Sequence, residues 1–357
     1  MSRYHCAMTT INTAILGATG YTGGELIRLL DQHPLFHITH LGAHSQAGRL
    51  LHEVIPGINE PLASMRLQAA DAPLADDIQL VFTALPHTAA ATAVAEALAA
   101  GKKVIDLSAD FRHQSADTYA AAYGSNHPHP QLLPQAVYGL CEWHRKDIAN
   151  SKLVANPGCY PTSVLLPLIP LLRAGVLDSE QTIIIDAKSG TSGAGRSATT
   201  ALLYCEANES IRAYGLPRHR HVWEMEEWAQ GIGGQTAHIR FVPHILPMSR
   251  GMLSTIHVNG KNTAQWLDLL TQCYADSPFV RVLPAGQLPS TKGVQGSNRC
   301  DIGVACLGRN HRGEEEAVIV SCIDNLMKGA SGQALQNANI MFGLEESLAL
   351  PQHAQWP

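Results

Sequence analysis

Residues 13–30 constrain the chain more than any other stretch. A short apolar strand signal, residues 13–16, runs into Gly17-Ala18-Thr19-Gly20-Tyr21-Thr22-Gly23-Gly24 and then into the amphipathic Glu25-Leu26-Ile27-Arg28-Leu29-Leu30. Strand, glycine-rich turn and helix in that order open a dinucleotide-binding unit. The glycines let backbone approach a pyrophosphate, and the helix start offers N–H groups and the positive end of its dipole. The spacing is GxxGxxG and not GxGxxG, so the motif is a variant, and a plain tight turn is the competing reading. Gly17, Ala18, Thr19, Gly20, Tyr21, Thr22 and Gly23 are the candidate cofactor residues.

A second strand signal, residues 36–42, leads to His44-Ser45-Gln46-Ala47-Gly48-Arg49. NAD-specific units commonly place an acid here for the ribose 2′-hydroxyl, and this stretch has none. Ser45 and Arg49 suit a 2′-phosphate, which favours NADP, although Arg49 reads equally well as a solvated surface charge. Further strands are expected at 78–85, 103–107 and 153–155, with an alanine-rich helix at 88–100. This alternation predicts a parallel, doubly wound Rossmann sheet whose ligands gather at the carboxyl ends of its strands. Leu85, Pro86 and His87 fall at one such end and residues 108–112 at another. Residues 119–142, rich in Pro, His, Gly and Tyr, read as an ordered connecting loop.

After the strand at 153–155 comes Asn156-Pro157-Gly158-Cys159-Tyr160-Pro161-Thr162. A Pro-Gly turn followed by an apolar run can hold a thiol at a helix start, where N–H groups and the dipole favour thiolate. The alternative is a buried structural cysteine. A helix at 164–174 and a strand at 182–187 lead to Lys188-Ser189-Gly190-Thr191-Ser192-Gly193-Ala194-Gly195-Arg196, which reads as an oxyanion loop or as a flexible connector. His219-Arg220-His221 precedes a helix signal at 222–229. A thiol with a pKa of about 8.5 is only a few per cent ionised at neutral pH, so it needs a positive neighbour or a base. His219 or His221, titrating near neutrality, would supply it. The His-x-His pair lacks a third ligand at metal spacing, so no metal is expected. Strand signals within 238–258, at 301–307 and at 316–324 predict a second, more antiparallel sheet in an α+β unit, with a last helix at 332–342.

The totals fit this reading. A chain of 357 residues, 45% hydrophobic and 15% charged, suits about two domains. Its net charge of −5 offers no basic surface for nucleic acid or anionic membranes. The eight cysteines form no CxxC pair, consistent with reduced thiols in the cytoplasm. The stretch before Thr13 has no signal-peptide core, no window reaches 18 uninterrupted apolar residues, and Met8 is readable as an alternative start.

Together, the motifs at 17–23, 156–162, 189–196 and 219–221, with Asp324-Asn325-Leu326-Met327-Lys328-Gly329-Ala330, resemble the N-acetyl-gamma-glutamyl-phosphate reductase family. The match runs from about Thr13 to Phe342. The resemblance implies a fold related to aspartate-semialdehyde dehydrogenase: an NADP-binding domain at 1–158, a catalytic and oligomerisation domain at 159–324, and a C-terminal helix at 325–357 returning to the first. It implies NADPH-dependent reductive dephosphorylation of N-acetyl-gamma-glutamyl phosphate through a Cys159 thioester, in arginine biosynthesis, by a homodimer or homotetramer. By similarity Arg112 is the first choice for the phosphate, with Ser189, Gly193 and Arg196 second and His219 also at the substrate. Ser189 and Gly190 are expected at the cofactor, and Asn325 near the nicotinamide carboxamide. Two departures stand out. Met327 replaces an apolar residue such as leucine, and Val222-Trp223 precede Glu224 where the usual pattern has a proline, which touches only the start of that helix. Competing functions are a related reductase of aspartyl phosphate or carrier-bound aminoadipyl phosphate, and a non-catalytic NADP-sensing regulator.

Overall fold

The computed structural model describes residues 10–355, so Cys6 and Met8 lie outside the described residues. Seven parallel strands form the first sheet: β1 (Ile11–Leu16), β2 (Phe36–Ala43), β3 (Gln68–Ala69), β4 (Leu80–Thr83), β5 (Lys103–Asp106), β6 (Ala136–Tyr138) and β7 (Leu153–Ala155). Their order is β3-β2-β1-β4-β5-β7-β6, and the winding reverses between β1 and β4. That switch point is where a doubly wound sheet opens a crevice for a ligand.

The helix Tyr21–Leu30 begins inside the glycine run. Gly17 has φ +86°, and a Cβ there would run into the Ala84 carbonyl; one on Gly23 would strike the Gly17 carbonyl. Glycine is therefore required at both positions for the turn to close against β4 and against the helix. The stretch 119–142, expected as a loop, instead holds most of a helix (Ala116–Tyr123), the edge strand β6 and the start of another helix (Cys141–Asn150). Ser115 caps the first of these by accepting the Thr118 N–H, and Gly124, at φ +69°, ends it. With β6 only three residues long, its apolar signal is too short to stand out beside the prolines around it.

The second sheet contains β8 (Thr182–Gly190), β9 (Arg212–Ala213), β10 (His238–Leu246), β11 (Met252–Gly260), β12 (Val280–Val282), β13 (Cys300–Arg309) and β14 (Glu315–Ile323). The order is β12-β13-β14-β11-β8-β10-β9, parallel at β8/β10 and β12/β13 and antiparallel elsewhere. Ile183, Ile185 and Ala187 point into a core completed by the helices Cys159–Arg173 and His221–Gly233. The helix Cys159–Arg173 is buried from Tyr160 to Leu172, which explains why its sequence is apolar all round. The helix Gly332–Met341 packs Ala334, Leu335 and Ala338 against Leu26, Leu30, Phe82 and Val154 of the first sheet's core. Gln333, also buried on that helix, donates to Thr162 Oγ1 at 3.0 Å, tying it to the cysteine helix.

Candidate active site

At the carboxyl ends of β1, β2 and β4 lies a groove of about 640 Å³. Gly17, Thr19, Gly20, Tyr21, Thr22, Ser45, Arg49, Leu85 and Pro86 line it, together with His44, Gln46 and Glu53. Ala18 and Gly23 sit behind the wall as packing residues. His87 is not part of the lining; its ring lies against Tyr123, 5.7 Å between centroids. Arg49 is tied down within the wall, by Glu53 at 3.3 Å and Gln46 at 2.8 Å. The bare backbone at Gly17, the helix start at Tyr21 and the volume of the groove fit a dinucleotide.

Cys159 is the first residue of its helix, directly after Gly158. It opens onto a second cavity of about 290 Å³, lined also by Tyr160, Ser189, Gly193, Arg212, Tyr214, His219, Arg220 and His221. The sequence brings these together from four places: the helix start, the end of β8, strand β9 and the start of the helix His221–Gly233. Glycine at 329 is needed here, because a Cβ would sit 2.9 Å from that of Cys159.

The two imidazoles lie 4.8 Å apart, centroid to centroid. The His221 backbone N–H donates to His219 Nδ1 at 3.1 Å, so the neutral His219 ring carries its proton on Nε2. His221 Nδ1 is buried with no partner among the described residues. Burial pushes the Cys159 thiol up to about 11, although the Arg112 charge and the helix-start N–H groups pull the other way. Burial, helped by Arg220, pushes His219 down to about 4, and burial holds His221 well below its ordinary value. The expectation of a near-neutral imidazole and a thiol already favoured as thiolate is therefore corrected. In this pocket desolvation outweighs the helix dipole, and the resting groups are a thiol and neutral imidazoles.

Glu224 was singled out only for the residue before it, yet it organises the turn. Its fully buried carboxylate accepts the Gly158 N–H at 2.8 Å and the Tyr138 hydroxyl at 2.8 Å, and faces Arg112 at 3.5 Å. Arg112, the first choice for a phosphate, does not line the Cys159 cavity. It donates to the carbonyls of Asn156, at 2.8 Å, and Leu107, at 2.9 Å, and so braces the cysteine turn from behind. The arginines on the cavity itself are Arg212 and Arg220. Arg220 lay within the quoted histidine motif; Arg212 carried no signal, because only the pairing of β9 with β10 brings it there.

A third cavity, about 430 Å³, lies beside both sites: it shares Tyr21 and Arg196 with the groove and Thr199 and Leu202 with the cysteine cavity. Arg196, expected at the substrate, lies on the groove side, donating to the Thr19 carbonyl at 2.8 Å and the Val54 carbonyl at 3.1 Å. Of the residues expected at the cofactor, Ser189 lines the cysteine cavity, and Gly190 packs where a Cβ would meet the Ser249 carbonyl at 2.8 Å. Asn325 accepts the Gly251 N–H and donates to Ser192 Oγ, bracing the 189–196 loop.

The description "Semialdehyde dehydrogenase, NAD binding domain" matches residues 12–151, and "Semialdehyde dehydrogenase, dimerisation domain" matches residues 159–325. A protein of Citrifermentans bemidjiense named N-acetyl-gamma-glutamyl-phosphate reductase is 48% identical over 344 residues, covering 95% of this chain and 98% of its own. One of the same name from Magnetococcus marinus is 47% identical over 352 residues, covering 98% and 99%. The chain belongs to the N-acetyl-gamma-glutamyl-phosphate reductase family. Membership in the N-acetyl-gamma-glutamyl-phosphate reductase family makes it an oxidoreductase with an NAD(P)-binding Rossmann unit. Solved structures extend the fold likeness beyond the family. Aspartate semialdehyde dehydrogenase II from Vibrio cholerae gives a TM-score of 0.71 at 18% identity, covering 93% of this chain and 98% of that one. Aspartate semialdehyde dehydrogenase with NADP from Candida albicans gives 0.68 at 17%, with the same coverage. Among the described residues no helix is long and apolar enough to cross a membrane.

Proposed function

We propose that the protein reduces N-acetyl-gamma-glutamyl phosphate to N-acetylglutamate 5-semialdehyde and inorganic phosphate, with NADPH as reductant and Cys159 as nucleophile, as a step of arginine biosynthesis in the cytoplasm. The observation that carries this reading is the gathering of Cys159, His219 and His221 on one cavity, which shares Thr199 and Leu202 with an intervening cavity that in turn shares Tyr21 and Arg196 with the dinucleotide groove. In the groove, the 17–23 turn would hold the pyrophosphate, and Ser45 with Arg49 the 2′-phosphate. When bound, the cofactor supplies the hydride.

The resting thiol must lose its proton as it attacks. His221, whose ring makes no hydrogen bond to the described residues, is the acceptor: its Nε2 would lie 2.9 Å from a Cβ built on Gly158, beside the cysteine. Sulfur bonds to the acyl carbon, the acyl–phosphate bond breaks, and phosphate leaves towards the Arg212 and Arg220 charges. His219 presents Nε2–H, a donor for the carbonyl oxygen as negative charge develops on it. Reduction of the thioester gives a hemithioacetal, whose collapse releases the semialdehyde and returns the proton to sulfur.

The division into units at 1–158, 159–324 and 325–357 is part of the same reading, supported by the separate sheets and by the packing of the last helix on the first core. A second copy would cover the outer face of the second sheet, where Ile184 is half exposed beside Asp186 and Lys188. The test runs the reaction backwards, with N-acetylglutamate semialdehyde, NADP and phosphate, following the absorbance of reduced nicotinamide. Phosphate-dependent formation of NADPH is expected. Turnover that ignores phosphate, or that prefers aspartate semialdehyde, removes the substrate assignment.

A further inference from the structure

The groove carries two arginines, Arg49 and Arg196. They are not equivalent. Arg49 is held by its neighbours Glu53 and Gln46 in a half-exposed pair within the segment that follows β2. Arg196 comes from the loop after β8, in the other sheet, and its guanidinium meets only backbone carbonyls, those of Thr19 and Val54. Among the described residues it has no carboxylate partner.

Its place in the groove is specific. Thr19 belongs to the turn that leads into the helix Tyr21–Leu30, so the guanidinium is anchored to a residue two positions before that helix start. A helix start contributes roughly half a positive charge, whereas a pyrophosphate carries about two negative ones. A full positive charge fixed beside the helix start supplies what the dipole leaves uncompensated.

We propose that Arg196 reaches across from the second sheet as the clamp on the dinucleotide pyrophosphate, while Arg49 serves the 2′-phosphate. The inference rests on the reading of the groove as a dinucleotide site. The loop that carries Arg196 also contributes Gly193, Ala194, Thr199 and Leu202 to the cysteine cavity. Engagement of the pyrophosphate therefore also fixes one wall of the acyl pocket.

The test is equilibrium titration of the full chain with NADP+ and with NAD+, read by calorimetry. In Arg196→Gln the side-chain amide still donates to a carbonyl but carries no charge. Removing a charge-assisted hydrogen bond should weaken both dinucleotides by the same factor, about tenfold or more, while the melting temperature of the free protein falls by no more than the loss of one carbonyl hydrogen bond explains. Arg196→Lys, which keeps the charge, should stay within about threefold of the parent protein. Arg49→Ala should instead weaken NADP+ much more than NAD+. Equal affinity of Arg196→Gln and the parent protein overturns the proposal, as does a loss confined to NADP+. If the parent protein binds neither dinucleotide, the reading of the groove fails and the proposal with it.

Discussion

Glu224 Oε1 accepts the backbone N–H of Gly158 at 2.8 Å, so a carboxylate with no solvent exposure fixes the residue immediately before the nucleophile. The same side chain gathers the Tyr138 hydroxyl and the Arg112 guanidinium. The turn that presents Cys159 is thus set by a positioning carboxylate that directly follows the proline-less Val222-Trp223.

Removing that carboxylate should cost stability and rate together. Glu224→Ala leaves the Arg112 charge, the Gly158 N–H and the Tyr138 hydroxyl without their partner, at a cost of about 3–5 kcal/mol. Glu224→Gln keeps an acceptor for Gly158 and should cost less while still lowering kcat. Tyr138→Phe gives up a single hydrogen bond, about 1 kcal/mol, and should leave kcat nearly intact. Urea denaturation with parallel turnover measurements checks this ranking. Equal losses for Ala and Tyr138→Phe would remove Glu224 from the role.

Burial of the thiol makes a prediction about its reactivity. With Cys159 pushed up to about 11, alkylation of the free protein by iodoacetamide should be slow at neutral pH and climb steadily through pH 9, without the inflection near 8.5 of an ordinary thiol. Cys159→Ser should abolish reduction and leave NADP+ affinity within about twofold. A fast reaction that stays level from pH 6 to pH 9 would show a resting thiolate at Cys159.

Much of this was legible in advance because strong periodicity and glycine chemistry are local properties. The strand signal at 153–155 coincides with β7, and the glycine turn, the cysteine turn and the final helix are all recognisable from their residues. What stayed hidden depends on pairing across distance. The helix at 116–123 and β6 are both short and are separated by a stretch with prolines at 128, 130 and 134, Arg212 reaches the cavity only through the two-residue β9, and Glu224 acts on a residue 66 positions away. The titration of the site was equally out of reach. A dipole at a helix start can be read from sequence, whereas the desolvation that overrides it at Cys159 exists only once both sheets have closed.

His219 gives a pH dependence with a defined sign. Its folded pKa, about 4, lies below the ordinary value of 6.5, so between these limits the unfolded chain binds more protons than the folded one. The His219 contribution is therefore constant above pH 6.5 and falls as pH drops towards 4. Melting temperature should decline more steeply over that window in the parent protein than in His219→Asn. Parallel curves would show that His219 titrates normally in the folded state. The acid limb of kcat/KM should likewise lie well below 6.5.

Arg250 links the dinucleotide helix to the second sheet. Its guanidinium meets Glu25 through both terminal nitrogens, each at 3.1 Å, and Asp324 through Nε at 3.0 Å. Both carboxylates are buried. Burial raises the Glu25 pKa, but Arg28 and Arg250 more than offset it, and the net value is lowered. Arg250 also sits in the turn whose carbonyls, Met248, Ser249 and Gly251, receive the N–H groups of Thr191, Ser192 and Gly190. A lysine at 250 has one compact charge and cannot bridge both carboxylates, so Arg250→Lys should rescue little. Arg250→Met leaves two buried carboxylates without their shared cation, costing about 3–5 kcal/mol at pH 7. The cost has a sign with pH: in the variant Glu25 loses one of the two arginines that hold its pKa down and takes up a proton more readily, so the destabilisation is largest above that pKa and shrinks as pH falls. The melting-temperature gap between parent and Arg250→Met should narrow from pH 7 to pH 5. A gap that stays constant would mean that packing of the arginine stem, and not its charge, holds the two layers together.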